Sequence, residues 1–423
     1  MEVFKFGGAS VSSVERFGMV AAILRARKEE QLLVVVSAMG KTTNALEKVV
    51  ESFYNNRSDL ALQLFEQIKE QHLTTAKYLL VTHYLACEAQ LRDIFTETEW
   101  LLHDKPVRGF DYYYDQVVCS GELMSTTIVS AYLNESGIGN QWMDVRDIIR
   151  TDDNFRDAGV DFAFTSRKMQ EIVAPALQKN GLVVTQGFIG ATDENESTTL
   201  GREGSDYSAA IFANMLGAGQ LTIWKDVEGV MNADPKKFPG ATYIPALNYD
   251  EVIEMAYYGA QVIHPKTIKP LQNKGIPLQV KCFLDAALPG TRIGKGPLAA
   301  LPPIIVVKEN QVLAHLHTRD FSFIGEEPMS RLYEIFAEVK TKPNLLQTGA
   351  VKLVICLDDQ PEKIEKLALA AADLFEVSVE KGLSLLTIRH FDEPLLQELT
   401  KDRKVVLRQQ NEGTVQVLLK DRT

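Results

Sequence analysis

The sequence predicts an α/β protein whose mainly parallel sheet is covered by helices on both faces, followed by a smaller α+β region. Over the first three hundred residues, short β-rich runs alternate with helical patterns, as in doubly wound sheets. A stretch rich in Pro and Gly near 285–303 then precedes about 120 residues with a different rhythm. We therefore expect a main domain over 1–285, a linker over 286–303, and a regulatory or dimerisation region over 304–423.

Composition and charge indicate a multidomain globular protein and argue against one that binds nucleic acid or an anionic membrane. A chain of 423 residues with 45% hydrophobic and 24% charged residues is typical of a multidomain globular protein with ample core. The net charge of −11 argues against nucleic acid or an anionic membrane as a partner. A phosphate-bearing ligand would therefore need a local basic pocket, together with a divalent cation.

The cysteines and the chain start predict a cytoplasmic protein. Cys87, Cys119, Cys282 and Cys356 are widely scattered, with no pair at metal-ligand spacing, which indicates free thiols in a reducing compartment. The first residues lack the basic end and apolar stretch of a signal peptide. No run approaches the roughly 20 apolar residues that a membrane span needs.

The first motif, Lys-Phe-Gly-Gly-Ala-Ser at residues 5–10, predicts an anion site. Its lysine ammonium can meet phosphate charge, and its two glycines let backbone N–H groups approach a ligand without a Cβ in the way. Ser12 and Glu15 have capping-box spacing, so a helix should open behind the turn and point its N-terminus at the ligand. The alternative is a tight strand-to-helix turn with a solvated lysine.

Further elements follow in order. Leu32–Val36 is a predicted buried strand that leads into a small-residue loop, where Ser37 and Thr43 can hydrogen-bond substrate or phosphate. For Ser37, a polar turn that caps the next helix is an equal alternative. Residues 60–103 contain no Gly or Pro and have apolar positions at helical spacing, which predicts an inserted helical hairpin.

A helix is expected from about Glu122 to Leu133, with Ser120-Gly121-Glu122 at its start. An acid in the first turn stabilises any helix. The functional interpretation is that Glu122 holds the ammonium of an amino-acid substrate. Residues 182–186 should form another strand that ends at Gly187, and the polar residues 191–204 a long loop.

The loop Leu-Gly-Arg-Glu-Gly-Ser-Asp at residues 200–206 joins a predicted helix over 205–215. Arg202 offers a planar fork that matches a carboxylate. Ser205 and Asp206 fall where a helix cap belongs, so capping is an alternative for each. The convergence of arginine, glycines and acid on one loop favours function for Asp206.

Two later stretches complete the set. Lys225-Asp226 follows a predicted strand over 221–224, and Lys236 lies eleven positions beyond Lys225, so these residues can frame the ribose and phosphates of a nucleotide. The stretch 254–265 ends in His264-Pro265. We interpret His264 as structural, because a lone histidine beside proline is more often a packing residue.

The C-terminal region reads as small βαβ-type units. Its predicted strands are Val312–Leu316, Val351–Leu357, Val377–Val379, Ser384–Ile388, Val405–Leu407 and Val415–Leu419, and its predicted helices are Pro328–Val339, Pro361–Phe375 and Glu393–Thr400. Units of this size indicate ligand-sensing or dimerising modules, and a dimerisation cap without a ligand is an equal alternative.

Taken together, the motifs resemble those of the aspartate kinases in the amino-acid-kinase family, matching at residues 5–10, 201–207, 225–235 and 254–265. The resemblance is close over the first 285 residues, and the tail is more loosely similar to the family's paired ACT modules. It implies a three-layer α/β sandwich, with transfer of the ATP γ-phosphoryl to the β-carboxylate of L-aspartate. That reaction is the first step toward lysine, threonine and methionine.

The resemblance also implies roles for individual residues. It implies Lys5 and Asp206 as catalytic residues, Thr43, Glu122, Arg202 and Ser205 as substrate-binding residues, and Lys5, Gly7, Gly8, Ser10, Lys225, Asp226, Met231, Lys236 and Gln261 as nucleotide-binding residues. ATP and Mg²⁺ are the implied cofactors, with no metal site built from protein alone. A homodimer or higher homo-oligomer is expected, with lysine or threonine as a feedback effector and no nucleic-acid or membrane partner.

Four residues depart from the family patterns, and two rival functions stay open. Ala9 replaces a threonine, Glu203 a glycine and Lys225 a threonine, and Gln261 stands where many members carry lysine. Glu203 and Lys225 can pair with each other. The first rival is a kinase of the same fold for glutamate or acetylglutamate, and the second is a catalytically idle sensor of amino acids or nucleotides.

Overall fold

The fold is taken from a computed structural model that describes residues 1–27, 30–260, 263–296, 300–320 and 322–421. Numbered along the chain, the strands are β1 (Glu2–Phe6), β2 (Leu32–Val36), β3 (Gln141–Met143), β4 (Leu182–Gln186), β5 (Ile189–Ala191), β6 (Ser197–Thr199), β7 (Gln220–Lys225), β8 (Val230–Met231), β9 (Tyr243–Ile244), β10 (Ala246–Asn248), β11 (Leu278–Cys282), β12 (Thr291–Gly294), β13 (Ile304–Thr318), β14 (Leu345–Thr348), β15 (Lys352–Asp358), β16 (Phe375–Arg389), β17 (Arg403–Gln410) and β18 (Thr414–Asp421).

The α-helices are α1 (Val14–Arg25), α2 (Thr42–Tyr54), α3 (Ser58–Leu79), α4 (Tyr84–His103), α5 (Phe110–Glu135), α6 (Phe162–Lys168), α7 (Ala174–Asn180), α8 (Gly204–Leu216), α9 (Tyr249–Tyr257), α10 (Pro265–Lys274), α11 (Glu326–Glu338), α12 (Pro361–Ala370) and α13 (Glu393–Thr400). Short 3₁₀ turns occupy Gly8–Val11 and Val145–Asp147, and a π-turn occupies Met169–Val173. In the part of the chain that the structure describes, no helix is long and apolar enough to cross a bilayer.

The larger compact unit contains the described residues of Met1–Val230, Tyr243–Ala256 and Gln261–Leu298. Its sheet has the order β10-β12-β11-β7-β1-β2-β4-β3, and its neighbours are parallel except β11 with β12. Every residue of Leu32–Val36 is apolar and buried, as expected of a parallel strand covered on both faces. The predicted α/β class with a mainly parallel sheet is confirmed.

The helical hairpin predicted over 60–103 is confirmed as α3 and α4, but the predicted start of the next helix is wrong. Helix α5 begins at Phe110, so Ser120-Gly121-Glu122 lies in its middle. Its aromatic first turns pack on α2, with ring centroids of Phe53 and Tyr113 5.2 Å apart, and this packing outweighs the modest helix propensity of aromatic residues. Gly121 is needed for close packing, because a Cβ there would lie 3.0 Å from Leu46 Cδ1.

Two other local predictions are corrected. Residues 191–204 are not a continuous loop, because β6 pairs antiparallel with β5. The capping box is also wrong. The 3₁₀ turn Gly8–Val11 delays the start of α1, so Ser13 is its N-cap while the Ser12 hydroxyl donates to the Ala9 carbonyl at 3.0 Å. His264 caps α10, its Nδ1 accepting from the Lys266 N–H at 3.2 Å, in agreement with a structural role.

The smaller unit contains the described residues of Met231–Thr242, Tyr257–Ala260 and Ala299–Thr423. Its antiparallel sheet has the order β14-β15-β13-β16-β18-β17. Helices α11 and α12 bury Leu332, Ile335 and Leu367 in one apolar cluster with the sheet. This C-terminal α+β region was predicted, although the separate strands 377–379 and 384–388 are one long strand, β16, and β14 was not foreseen.

The predicted linker contains regular structure. Within 286–303, strand β12 pairs with β11 and β10 inside the sheet of the larger unit. Pro289 and Gly290, which the sequence placed in a linker, therefore directly precede a strand of the sheet. The segments 231–242 and 257–260, which the sequence placed in the main domain, belong to the smaller unit.

Candidate active site

A buried ion pair lies at the centre of the candidate site. Lys5 is on β1, between β2 and β7, opposite Val35 and Ile223. Its Nζ lies 2.7 Å from Oδ1 of Asp206 in the first turn of α8, and the two residues are only 9% and 4% exposed. A buried charge is unfavourable unless it is paired, so each of the two groups requires the other.

The electrostatics of Asp206 follow from this pairing. Burial alone would raise the pKa of its carboxyl, but the ammonium charges of Lys5 and Lys225 outweigh burial and hold the pKa below its ordinary value. Asp206 is therefore an anion at neutral pH. It lies where the carboxyl ends of β1 and β7 meet, which is the edge at which open α/β sheets bind ligands.

The glycine turn after β1 rests on the loop after β2. A Cβ on Gly8 would lie 2.5 Å from the Ala38 carbonyl oxygen and 2.9 Å from that of Gly40, so only glycine fits. The Gly40 N–H donates to the Gly8 carbonyl at 3.0 Å. The Ser10 side chain is buried, and its hydroxyl has no hydrogen-bond partner among the described residues.

Glu122 reaches the same place from α5. Its Oε1 accepts from the Ala38 N–H at 3.2 Å, while its Oε2 is buried without a partner among the described residues. Burial raises the pKa of Glu122 to about 8, although the Ala38 N–H and the charge of Lys5 act in the opposite direction. Because it lies in the middle of a 26-residue helix, the carboxyl is held on a rigid element.

These groups line one cavity of about 390 Å³. The described lining residues are Lys5, Gly7, Gly8, Ala9, Ser10, Ser37, Thr43, Glu122, Phe188, Glu203, Gly204, Ser205, Asp206, Trp224, Lys225 and Asp226. Four buried polar atoms on this lining have no hydrogen-bond partner among the described residues: Ser10 Oγ, Glu122 Oε2, Glu203 Oε2 and the Trp224 indole nitrogen. Such atoms indicate a place built to receive a polar ligand.

Most of the residues singled out from the sequence meet here. Of the fourteen residues given catalytic or binding roles, ten line the cavity: Lys5, Gly7, Gly8, Ser10, Thr43, Glu122, Ser205, Asp206, Lys225 and Asp226. Ser37 lies on the lining as well. Arg202 is exposed and is not among the described lining residues. Met231 and Lys236 belong to the smaller unit, and Gln261 lies outside the described residues.

Two aromatic residues of the lining were not foreseen. Phe188 has a left-handed backbone with φ of 72°, and its N–H donates to Ser208 Oγ at 2.9 Å. The Trp224 ring stacks on Phe6, with centroids 5.9 Å apart. The sequence signal that could have identified them is their position near the carboxyl ends of the predicted strands β4 and β7, where open α/β sheets bind ligands.

The carboxylates of the lining are the residues that could hold a divalent cation. Among the described residues, no group of three or more His, Cys, Asp or Glu side chains is arranged to hold a metal. Mg²⁺ commonly binds through one or two carboxylates plus substrate phosphates. Asp206 and the exposed Asp226 provide carboxylates of this kind on the lining.

Comparison with known proteins shows which family the chain belongs to. The family model described as "Amino acid kinase family" matches residues 1–282. The chain belongs to the amino acid kinase family. It is 33% identical over 403 residues to Aspartokinase 1, chloroplastic, of Arabidopsis thaliana, covering 89% of this chain and 66% of that relative. The chain thus spans just under two thirds of that relative's length.

A bacterial relative is covered over most of its length. Lysine-sensitive aspartokinase 3 of Escherichia coli is 30% identical over 398 residues, covering 91% of this chain and 86% of the relative. The crystal structure of E. coli aspartokinase III in complex with aspartate and ADP superimposes with a TM-score of 0.81 at 27% identity, covering 99% and 96% of the two chains. Within its family, the chain belongs to the aspartokinases.

Proposed function

We propose that this protein transfers the γ-phosphoryl group of ATP to the β-carboxylate of L-aspartate. The product is 4-phospho-L-aspartate, the first intermediate toward lysine, threonine and methionine. The observation that carries the proposal is the single cavity in which the Lys5–Asp206 pair, the glycine turn and Glu122 converge. Membership of the aspartokinases agrees with it.

The residue types suffice for the chemistry. A β-carboxylate with an ordinary pKa of about 3.9 is already an anionic nucleophile at neutral pH, so no general base is required. The difficulty is repulsion between this anion and the phosphates, because phosphoryl transfer depends on positioning and on neutralisation of charge. Lys5 and the N–H groups around Gly7 and Gly8 would neutralise the phosphate oxygens, and Asp206 would orient the Lys5 ammonium.

The cation fits the same scheme. Bound Mg²⁺ would supply further charge neutralisation on the phosphates. Asp206, whose buried carboxylate is on the lining, would be available to hold this cation. On the nucleotide side, Ser10, Lys225 and Asp226 line the cavity, and we assign Met231, Lys236 and Gln261 to the nucleotide as well.

The amino-acid substrate would be held by both of its charged groups. Glu122 would bind the α-ammonium, and Arg202 the α-carboxylate, with Thr43 and Ser205 as hydrogen-bonding neighbours. An ammonium beside Glu122 favours the ionised carboxylate, so substrate binding would lower a pKa that burial has raised to about 8. Fixing both charged groups leaves the substrate side chain facing the phosphates.

A hydroxamate assay for acyl phosphate tests the activity. With ATP, Mg²⁺ and hydroxylamine, we expect aspartate to give a hydroxamate and glutamate to give far less. Equal or greater product with glutamate would favour the first rival function. No product with any amino acid, despite nucleotide binding, would favour the idle sensor.

We also propose that lysine or threonine regulates the enzyme through its C-terminal unit and that the protein is a homodimer or larger homo-oligomer. The E. coli relative is named lysine-sensitive, and the chain covers 86% of it. The α+β sheet of the smaller unit, with α11 and α12 on one face, is a fold suited to ligand sensing or dimerisation.

A further inference from the structure

The loop that precedes α8 contributes an unexpected charge to the cavity. The loop has two adjacent charged residues, Arg202 and Glu203. Arg202 is exposed and is not among the described lining residues, whereas Glu203 lines the cavity. The family pattern has glycine at the position of Glu203. This chain therefore adds a carboxylate to the cavity that the glycine turn also lines, where it would repel a bound phosphate unless it has another role.

The backbone holds Glu203 in an unfavourable conformation. Its φ and ψ are 55° and 28°, the left-handed region that glycine adopts readily and glutamate does not. Left-handed non-glycine residues persist where surrounding structure enforces them, and they concentrate at ligand sites. Here Gly204 fixes the turn, because a Cβ at that position would lie 2.7 Å from Phe188.

The carboxylate of Glu203 lacks a partner at one oxygen. Its Oε2 is buried and accepts no hydrogen bond from the described residues. On the same lining, Oε2 of Glu122 also lacks a hydrogen-bond donor among the described residues, whereas Oδ1 of Asp206 has the Lys5 ammonium 2.7 Å away. A buried carboxylate oxygen without a donor is unfavourable, so a cationic ligand with N–H donors is the chemistry that this position would accept.

We propose that Glu203 is a specificity-determining residue that accepts a hydrogen bond from the ammonium group of the amino-acid substrate, alongside Glu122. The proposal deepens the function proposed above and rests on it. Because burial raises the pKa of Glu122, a second carboxylate supports recognition of the ammonium at neutral pH. It also gives the added negative charge a partner other than the phosphates.

Three variants test the proposal. Glu203→Gln removes the charge but keeps the side-chain size and the left-handed backbone, whereas Glu203→Gly relaxes the backbone as well. Glu194→Gln, on an exposed loop residue, is the matched control for loss of one negative charge. For each variant, KM and kcat are measured for aspartate and MgATP, and aspartate binding is measured separately by calorimetry.

We expect Glu203→Gln and Glu203→Gly to raise the KM and the calorimetric Kd for aspartate by about tenfold to a hundredfold, the range of a charge-assisted hydrogen bond. The KM for MgATP should stay within twofold, and discrimination against succinate, which lacks the ammonium, should fall by a similar factor. Glu194→Gln should change none of these values.

An unchanged aspartate KM and Kd in Glu203→Gln would overturn the proposal. So would an effect limited to MgATP, or an effect in Glu203→Gly alone, since these would assign Glu203 to the nucleotide or to the backbone. If the parent protein binds aspartate but forms no acyl phosphate, the proposed function fails. The calorimetric comparison of Glu203→Gln with the parent still decides the role of Glu203 in that case.

Discussion

At the scale of single residues, the proposed catalysis depends most on Lys5, which the fold can bury only because Asp206 pairs with it. The Lys5–Asp206 pair is nearly inaccessible, yet it lies on the lining of the cavity. Removing one partner leaves the other as an uncompensated buried charge. A substitution at either residue should therefore change both the free energy of unfolding and kcat. The two quantities have to be measured separately.

We predict that Lys5→Ala lowers kcat by about a hundredfold or more, because positioned charges act directly on the phosphoryl oxygens. It should also destabilise the protein by about 3 kcal/mol or more, since Asp206 loses its partner. The measurements are coupled kinetics and denaturant unfolding.

The double variant Lys5→Met, Asp206→Asn serves as the control. It should recover most of the lost stability, because no charge stays buried, while kcat stays low. Near-normal turnover in either variant would contradict the role of Lys5.

Glu122 predicts a pH-dependent stability of a definite sign. Its folded-state pKa is about 8 against an ordinary 4.5, so between these values the folded state binds more protons than the unfolded state. Stability then falls as pH rises. Relative to Glu122→Gln, the ligand-free protein should lose on the order of 4 kcal/mol between pH 5 and 8.

Urea unfolding of both proteins across this pH range measures the difference. Parallel curves for the parent and Glu122→Gln would show that the carboxyl is not held in its neutral form. Aspartate should reduce the slope in the parent alone, because its ammonium favours the ionised form.

The sequence was enough to single out the charged residues near strand and helix ends. It did not show which other side chains line the cavity with them. Lys5, Asp206 and Glu122 were singled out because each is a charged residue within two positions of a glycine and near a predicted strand or helix end. For Phe188 and Trp224 the signal is only their position near a strand end, which does not distinguish a lining residue from a core residue. Arg202 fits a carboxylate by type, but its side chain is exposed in this structure.

At the scale of elements, the loops beside the site pack so closely at Gly8 and Gly121 that a side chain at either position would clash or crowd its neighbours. Gly8 lies against the backbone of Ala38 and Gly40, and Gly121 packs against the same region from α5. The loops after β1 and β2 and the middle of α5 therefore hold one another in place.

We predict that Gly8→Ala lowers stability by about 1–3 kcal/mol, because its Cβ would clash with two carbonyl oxygens that cannot rotate away. The KM for ATP should rise with it as the turn shifts. Gly139→Ala is the matched control, since a Cβ there meets nothing within 4 Å. Equal unfolding midpoints for the two variants would contradict the close packing of these loops.

Elements with long uniform patterns were predictable, as the hairpin α3–α4 shows. The start of α5 was not, because Ser-Gly-Glu resembles a cap in sequence, whereas contacts with α2 extend the helix to Phe110. Long strands such as β16 also escaped the sequence pattern. Its exposed polar residues divide it into two apparent strands, while pairing with β13 runs almost throughout its length.

At the scale of the whole molecule, two units share the chain unequally. The sequence predicts domains over 1–285 and 304–423, whereas the segments 231–242 and 257–260 group with the smaller compact unit. The order of residues along the chain does not reveal that these two segments group with the smaller unit. Local composition does not show against which hydrophobic core a loop packs.

The proposed regulation makes a prediction at this scale. Calorimetric titration of the full chain with lysine and with threonine should show saturable binding of one of them, and that ligand should raise the aspartate KM. By linkage, aspartate should weaken effector binding by the same factor as the effector raises the equilibrium Kd for aspartate. Absence of heat with both amino acids would contradict a sensing role for the C-terminal unit.

The most direct test is a crystal structure with aspartate, Mg²⁺ and a non-hydrolysable ATP analogue. We predict that the terminal phosphates contact Lys5 and the N–H groups at Gly7 and Gly8, with the β-carboxylate of aspartate facing the γ-phosphorus. Phosphates bound away from the first ten residues, or aspartate bound away from Glu122, would contradict the account.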